Sequence, residues 1–258
     1  GKRIAYLEPW ERRLNLVVRD LGSGVARRVT DAVERDVAGF TWVDDSRLVY
    51  VRDRGGDENY RLYAVDPDGS NPLDLTPFEG VQCAIVDELE ENDREILFQM
   101  NRRDPQVFDV FRLDVRTGAM EQIAENPGNV QSWHTDHEGR LRLAVTTDGV
   151  NSSVLFRDRE TDTWRTVATY DFKEYASPRL FTFDNRAVIV SSNVGRDTAA
   201  VFEYDLETGR EGRLLFEHPE VDVSHVMYSR HRRKLTGVAY DVDRLEYHFF
   251  DDDRERAQ

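Results

Sequence analysis

Histidines and carboxylates crowd most closely at His134-Thr135-Asp136-His137-Glu138. Zinc bound through a His-x-x-His pair ordinarily needs a helix to align the rings, or a third ligand at a defined spacing. Here Glu138-Gly139 occupies an ordinary turn position, so the cluster reads as a surface turn. Asp66-Pro67-Asp68-Gly69 begins like a calcium loop, but Pro77 stands where the bidentate glutamate of an EF-hand belongs, and a hairpin turn is the expectation. The acid-rich stretches Asp87–Asp93 and Asp251–Asp253 read as solvated loops. No metal and no cofactor is expected. A serine nucleophile is not signalled either, because no Gly-x-Ser-x-Gly elbow occurs in the chain.

Arginine beside a carboxylate is the other recurring combination: Arg54 with Asp57, Arg103 with Asp104, Arg196 with Asp197. Such groups suit a polar rim that meets a partner domain or a peptide. They equally suit ion pairs tying neighbouring loops together, each worth ~0–1 kcal/mol when exposed. The candidate partner-facing residues are Asp57, Glu58, Asn59, Arg102, Arg103, Arg196 and Asp197.

The elements that must position these residues follow from a repeat. A charged residue entering an apolar strand recurs at Arg3, Arg47, Glu95, Arg140, Arg186 and Lys234. An aspartate at a strand end, followed by a turn, recurs at Asp20, Asp66, Asp114, Asp158, Asp205 and Asp251. Both series span 231 residues in five steps, a period near 46. Within a period the pattern is four short strands bounded by turn residues. In the fifth these are Arg179–Asp184, Arg186–Ser191, Ala199–Asp205 and Glu211–Glu217. Helical periodicity is nearly absent, although the last residues from Arg254 onward are compatible with a helix start. Units of this length with four strands predict an all-β chain, a β-propeller of six antiparallel repeats.

With strands lettered a to d, the expectation is 22 strands, the first blade lacking its a strand and the last its d strand, as in a fragment of a longer propeller. The blades run approximately 1–33, 37–78, 81–126, 130–171, 177–218 and 222–258. All the candidate residues fall in connections between b and c strands, which blade geometry sets at the same end of every blade. The a–b and c–d turns belong at the other end. Trp42, Trp133, Phe181, Phe183 and Tyr228 recur on a strands and read as packing between blades.

Composition bounds the partners. A chain of 258 residues can bury roughly 75% of its unfolded surface in a packed core. Lys+Arg 35 against Asp+Glu 50 leaves a net charge of −15, which opposes an extended phosphate-binding surface, so nucleic acid is not an expected partner. Apolar runs such as Leu48–Val51 stop far short of the ~20 residues a membrane helix needs, and no membrane partner is expected. The single cysteine, Cys83, rules out an internal disulfide and fits a cytoplasmic, reducing compartment; a removed upstream signal stays open.

Gly1-Lys2-Arg3-Ile4-Ala5-Tyr6-Leu7 resembles the second half of the repeat of TolB-type propellers. The stretch Arg52-Asp53-Arg54-Gly55-Gly56-Asp57-Glu58-Asn59-Tyr60-Arg61-Leu62-Tyr63, with Leu75-Thr76-Pro77-Phe78 after it, resembles the N-terminal propeller of prolyl oligopeptidase family serine peptidases, in particular the acylaminoacyl-peptidase-like branch. Asn101–Pro105 and Phe216–Val223 fit the same resemblance. It implies a non-catalytic propeller that gates short peptides and docks a C-terminal α/β-hydrolase domain of the same parent chain, itself absent here. No catalytic residue of that family maps onto this chain, so the chain alone is expected to be inactive. The competing reading is a free-standing TolB-like propeller that binds another protein.

Overall fold

The computed structural model describes residues 1–257. Among them 22 strands form six separate antiparallel meanders. The chain divides into two compact units, Gly1–Gly128 and Asn129–Gln258.

In the first unit, sheet one holds β1 (Arg3–Trp10), β2 (Arg13–Asp20) and β3 (Ala26–Arg28). Sheet two is β4 (Gly39–Asp44), β5 (Arg47–Arg52), β6 (Arg61–Val65) and β7 (Leu73–Asp74). Sheet three is β8 (Cys83–Asp87), β9 (Glu95–Asp104), β10 (Val107–Asp114) and β11 (Met120–Ala124). Successive side chains of a strand point to opposite faces, and β5 shows the result. Leu48 and Tyr50 join Leu16, Val18, Tyr63 and Val65 in a core between sheets one and two. Val49 turns the other way, to a core with Leu62, Ala64, Ile96, Phe98 and Leu113 between sheets two and three. A strand covered on both faces needs an apolar run without alternation. That accounts for Leu48-Val49-Tyr50. β1 pairs with β2 alone and lies at a sheet edge, which is why it is largely exposed while β5 and β9 are largely buried.

The second unit repeats the scheme with sheet four, β12 (Val130–Thr135), β13 (Leu141–Thr147), β14 (Ser152–Phe156) and β15 (Arg165–Tyr170). Sheet five is β16 (Ala176–Phe181), β17 (Val188–Ser192), β18 (Ala200–Asp205) and β19 (Arg210–Phe216). Sheet six is β20 (Val223–Ser229), β21 (Lys234–Asp241) and β22 (Leu245–Phe249), followed by the short helix α1 (Asp252–Ala257). Val188, Val190, Ala200 and Phe202 pack toward sheet four, and Ile189 and Val201 toward sheet six.

A side chain ties the connection leaving four of the sheets to the next-to-last strand of the same sheet, or to the loop entering it. Thr30 Oγ1 accepts the Leu16 N–H at 2.9 Å, and Thr76 Oγ1 accepts that of Leu62 at 2.9 Å. Asp109 Oδ1 accepts the Asn126 N–H at 2.8 Å, and Asp222 Oδ1 that of Ala199 at 2.6 Å. These contacts give buried amides acceptors at strand ends where the ladder runs out.

Two elements differ from expectation. In sheet three β9 runs on to Asp104, which still pairs with Val107 across a two-residue turn, so Arg102 and Arg103 stand at a strand end rather than in a b–c connection. The first strand of the fifth repeat is Ala176–Phe181, three residues ahead of Arg179–Asp184. The following turn is longer than Asp184-Asn185, because Thr182 Oγ1 accepts the Ala187 N–H at 3.0 Å and closes a six-residue turn with Asn185 at φ 58. Phe183 therefore lies in that turn rather than on a strand.

Candidate interaction surface

Each b–c connection lies at the end of its sheet that the strand-to-sheet connections also reach, and polar side chains join the two. In the first unit Gln82 N–H donates to Asn101 Oδ1 at 2.7 Å. Asn101 Nδ2 donates onward to the Pro105 carbonyl at 2.9 Å. In the second unit Asn193 plays the same part, accepting from Tyr175 N–H and donating to the Lys173 carbonyl, each at 2.8 Å. One asparagine at the same place in two blades thus fixes the loop against the preceding connection.

The expected ion pairs form with other partners. Arg54 bonds the Asp74 carboxylate at 2.7 Å and the Tyr63 hydroxyl at 3.2 Å, while Asp57 accepts the backbone N–H groups of Arg54 and Asn59. Arg103 takes Asp109 in a two-pronged contact, 2.9 Å for each bond, and reaches the Asn126 carbonyl at 2.7 Å. Arg196 grips Glu211 with two bonds of 2.8 Å and lies over the Phe202 ring at 4.4 Å. These pairs stay within one sheet. Arg103 folds back along its own hairpin to a carboxylate that packing has removed from water, where a charge partner is worth most, while Arg54 and Arg196 reach across to partly buried carboxylates on the outer strands β7 and β19. Arg35 to Asp53 at 3.0 Å does link two blades, joining the connection after sheet one to the second b–c loop.

The electrostatics follow. Burial pushes the Asp109 carboxyl up, but the bonds from Arg103 and the Asn126 N–H outweigh it and hold the group below the usual range. Glu211 is likewise raised by burial and brought net below its ordinary value by Arg196 and Ser192. These are settled ion pairs, not poised acids or bases.

Of the candidate residues, Asp57, Glu58, Arg102, Arg103 and Asp197 are exposed, while Asn59 and Arg196 are half-buried. Asp57, Glu58 and Asn59 share one loop, with Glu58 at φ 56. Arg102 projects from the strand end and lies over the Phe78 ring at 4.0 Å. Arg103 and Arg196 have their guanidinium groups committed to intrachain carboxylates, and Asp57 turns toward Arg61 and the loop's own N–H groups, so Arg102, Glu58 and Asp197 are the members whose charge faces outward. Sequence reasoning passed over Arg35, Arg52 and Arg61, which stand at the same end of sheet two.

His134 and His137 are not brought together as ligands. His134 lies on β12, with Ser132 Oγ 3.0 Å from its Nε2. His137 stacks on Phe183 at 4.4 Å and bonds the Phe181 carbonyl at 2.8 Å. Among the described residues no group of three or more His, Cys, Asp or Glu is arranged to hold a metal ion, and no helix is long and apolar enough to cross a membrane. Cys83 is buried, and burial raises its thiol to about 11.

No family model matches the chain. Dipeptidyl aminopeptidase BIII of Pseudoxanthomonas mexicana is 26% identical over 255 residues, which cover 97% of this chain and 37% of that protein. A solved prolyl endopeptidase superposes with a TM-score of 0.66 at 13% identity, over 96% of this chain and 40% of its own. The acylaminoacyl peptidase of Pyrococcus horikoshii gives 0.61 at 14%, over 98% and 42%. The chain thus spans well under half the length of these relatives. It is an all-β propeller related to the propellers of prolyl oligopeptidase family peptidases.

Proposed function

We propose that this chain is the non-catalytic propeller of a prolyl oligopeptidase family serine peptidase, docking an α/β-hydrolase domain of the same parent chain and filtering the short peptides that reach it. The observation that carries this reading is the match of nearly the whole chain to little more than a third of a dipeptidyl aminopeptidase. The b–c loops support it. Two of them are stapled by Asn101, Asn193, Arg103–Asp109 and Arg196–Glu211, and a stapled loop presents outward charges such as Arg102 and Asp197 at low entropic cost. The sequence has no nucleophile elbow, so peptide-bond chemistry falls to the hydrolase domain. A cytoplasmic location is part of the same proposal.

The test compares this chain with its full-length parent. Alone, the chain should leave acyl-peptide and aminoacyl reporter substrates intact and should not react with a fluorophosphonate probe. In the parent, Arg102→Ala should alter kcat/KM for short peptides and leave the melting temperature within a few degrees. Stoichiometric labelling of a serine in the isolated chain, or a parent gene encoding no hydrolase domain, would overturn the proposal.

A further inference from the structure

Sheet two sets two arginines directly opposite each other. Arg52, the last residue of β5, pairs in register with Arg61, the first of β6. Directly opposed residues share a face at close range, and like charges there repel. Arg61 is 4% exposed, and its Nε and Nη1 are buried with no hydrogen-bond acceptor. Its paired carboxylate, Asp57 Oδ2, stands 3.8 Å from Nη2, beyond hydrogen-bond range. Arg52 is half-buried with its guanidinium over the Tyr63 ring at 5.1 Å. Of the neighbouring carboxylates, Asp53 is engaged by Arg35 and Asp74 by Arg54, while Glu58 is exposed. A guanidinium removed from water without an acceptor is costly. Arg61 is in that position and has a second, half-buried guanidinium facing it, a local excess of positive charge in a chain of net charge −15.

We propose that Arg61 and Arg52 form a carboxylate-binding site that takes the C-terminal carboxylate of a short peptide, with the loop from Asp53 to Tyr60 as its cover. A carboxylate has two oxygens spaced for the parallel N–H groups of one guanidinium, and a second guanidinium opposite adds charge without further geometry. Asp57 is the residue in the way, and its hold on Arg61 is the long contact just described. Moving Asp57 aside breaks its bonds from the Arg54 and Asn59 N–H groups, and Gly55 and Gly56, at φ 60 and 85, are the neighbouring positions whose backbone can rearrange with the fewest steric limits. The site shares with the proposed function only the class of ligand. It is tested on this chain alone, so its failure leaves the docking proposal standing.

The experiment titrates the full chain with N-acetyl-Ala-Ala as the free acid and as its C-terminal amide, by calorimetry and by the arginine Nε–Hε resonances in nitrogen-15 NMR. The free acid should bind saturably, shift the Arg61 and Arg52 side-chain resonances, and bind about tenfold or more tighter than the amide. Arg52→Gln should weaken the free acid several-fold, and Arg61→Met should abolish binding. Because Arg61→Met removes a buried charge held only by one long ion pair, it should melt at the same temperature as the parent sequence or higher, which separates lost binding from lost fold. If that variant does not fold, Arg52→Gln and the resonance shifts decide the matter. No saturable binding, equal affinity for acid and amide, or unchanged affinity in both variants would overturn the assignment.

Discussion

Arg103 closes on Asp109 with two parallel hydrogen bonds of 2.9 Å, although only the carboxylate is buried. The asymmetry sets what each deletion costs. Arg103→Ala leaves a buried carboxylate with the Asn126 N–H as its remaining donor, and should destabilise the chain by about 2 kcal/mol. Its neighbour Arg102 loses only an exposed cation–π contact on substitution, worth about 0.5–1 kcal/mol. Urea midpoints at unchanged m-value measure both. Equal, small shifts would mean that Asp109 finds another partner and that the pair is not a staple.

The same pair predicts an acid limb. Burial raises Asp109, but the Arg103 and Asn126 bonds bring it net below its unfolded value. A carboxyl with a depressed folded pKa contributes stability that is whole above the unfolded pKa of about 3.9 and is lost as the pH falls through the folded value. In Arg103→Ala the folded value rises, so stability should depend less on pH below about 4. Unfolding curves from pH 5 to 2.5 that fall in parallel for both proteins would exclude this pair as a source of the limb.

His134 acts in a separate window. Burial, then the positive charge of Arg179, push its imidazole down to about 4 from an ordinary 6.5. Between those values the unfolded chain binds more protons than the folded one. Stability should therefore be whole above pH 6.5, decline as the pH falls, and level off below about 4. For a group that keeps some solvent contact the total is on the order of 2 kcal/mol. His134→Gln should remove this decline and leave the carboxylate limb below it. A parent sequence equally stable at pH 7 and pH 4.5 would contradict the shift.

What could be read without coordinates follows from locality. Strand runs and turn residues are properties of a few neighbouring positions, and they recur every period, so the six meanders and their strand content were legible. The misplaced strand at Arg179 shows the limit. Arg179–Asp184 carries the Leu, Phe and Thr of a strand, and the bonds between Thr182 and Ala187, backbone to backbone and Ala187 N–H to the Thr182 hydroxyl, turn its second half into a loop. Ion-pair partners were less accessible still. Arg103 skips the adjacent Asp104 for Asp109, six residues on, and Arg196 skips Asp197 for Glu211, fifteen on, because hairpin register decides which side chains meet. Arg61 was hidden for the same reason. An arginine opening a strand looks like a polar boundary marker, and only the Tyr50–Tyr63 register shows that it faces Arg52. Counting outward from a hairpin with two strand tyrosines was the signal available.

Two glycines with similar backbones should respond differently to the same change. Gly209 has φ 66, and a Cβ there would lie 2.4 Å from the Val167 carbonyl oxygen of the neighbouring sheet. Gly149 has φ 93 with nothing within 4 Å. Gly149→Ala meets only the cost of the left-handed region, about 1 kcal/mol. Gly209→Ala adds a backbone clash that must push sheets four and five apart, so its loss should exceed that of Gly149→Ala by about 1 kcal/mol or more. Thermal melts of the two variants would show the difference, and equal melting temperatures would mean that the turn at Gly209 moves freely away from β15.

The hairpin between β1 and β2 offers the reverse experiment. Trp10 pairs with Arg13, so the loop is the two residues Glu11 and Arg12, both left-handed at φ 47 and 71. A two-residue loop with both angles positive matches the right-handed twist of the strands it joins, and Asn-Gly supplies those angles most cheaply. Glu11 and Arg12 are exposed, so replacing them removes no core contact. The double change Glu11→Asn with Arg12→Gly should raise stability by about 1 kcal/mol, moving the urea midpoint up at constant m-value. Arg12→Gly alone should give much of the gain, since αL costs an ordinary side chain roughly 1 kcal/mol and glycine almost nothing, less the extra freedom glycine has when unfolded. A variant less stable than the parent sequence would show that the Glu11 or Arg12 side chain supplies an interaction stronger than the strain its backbone carries.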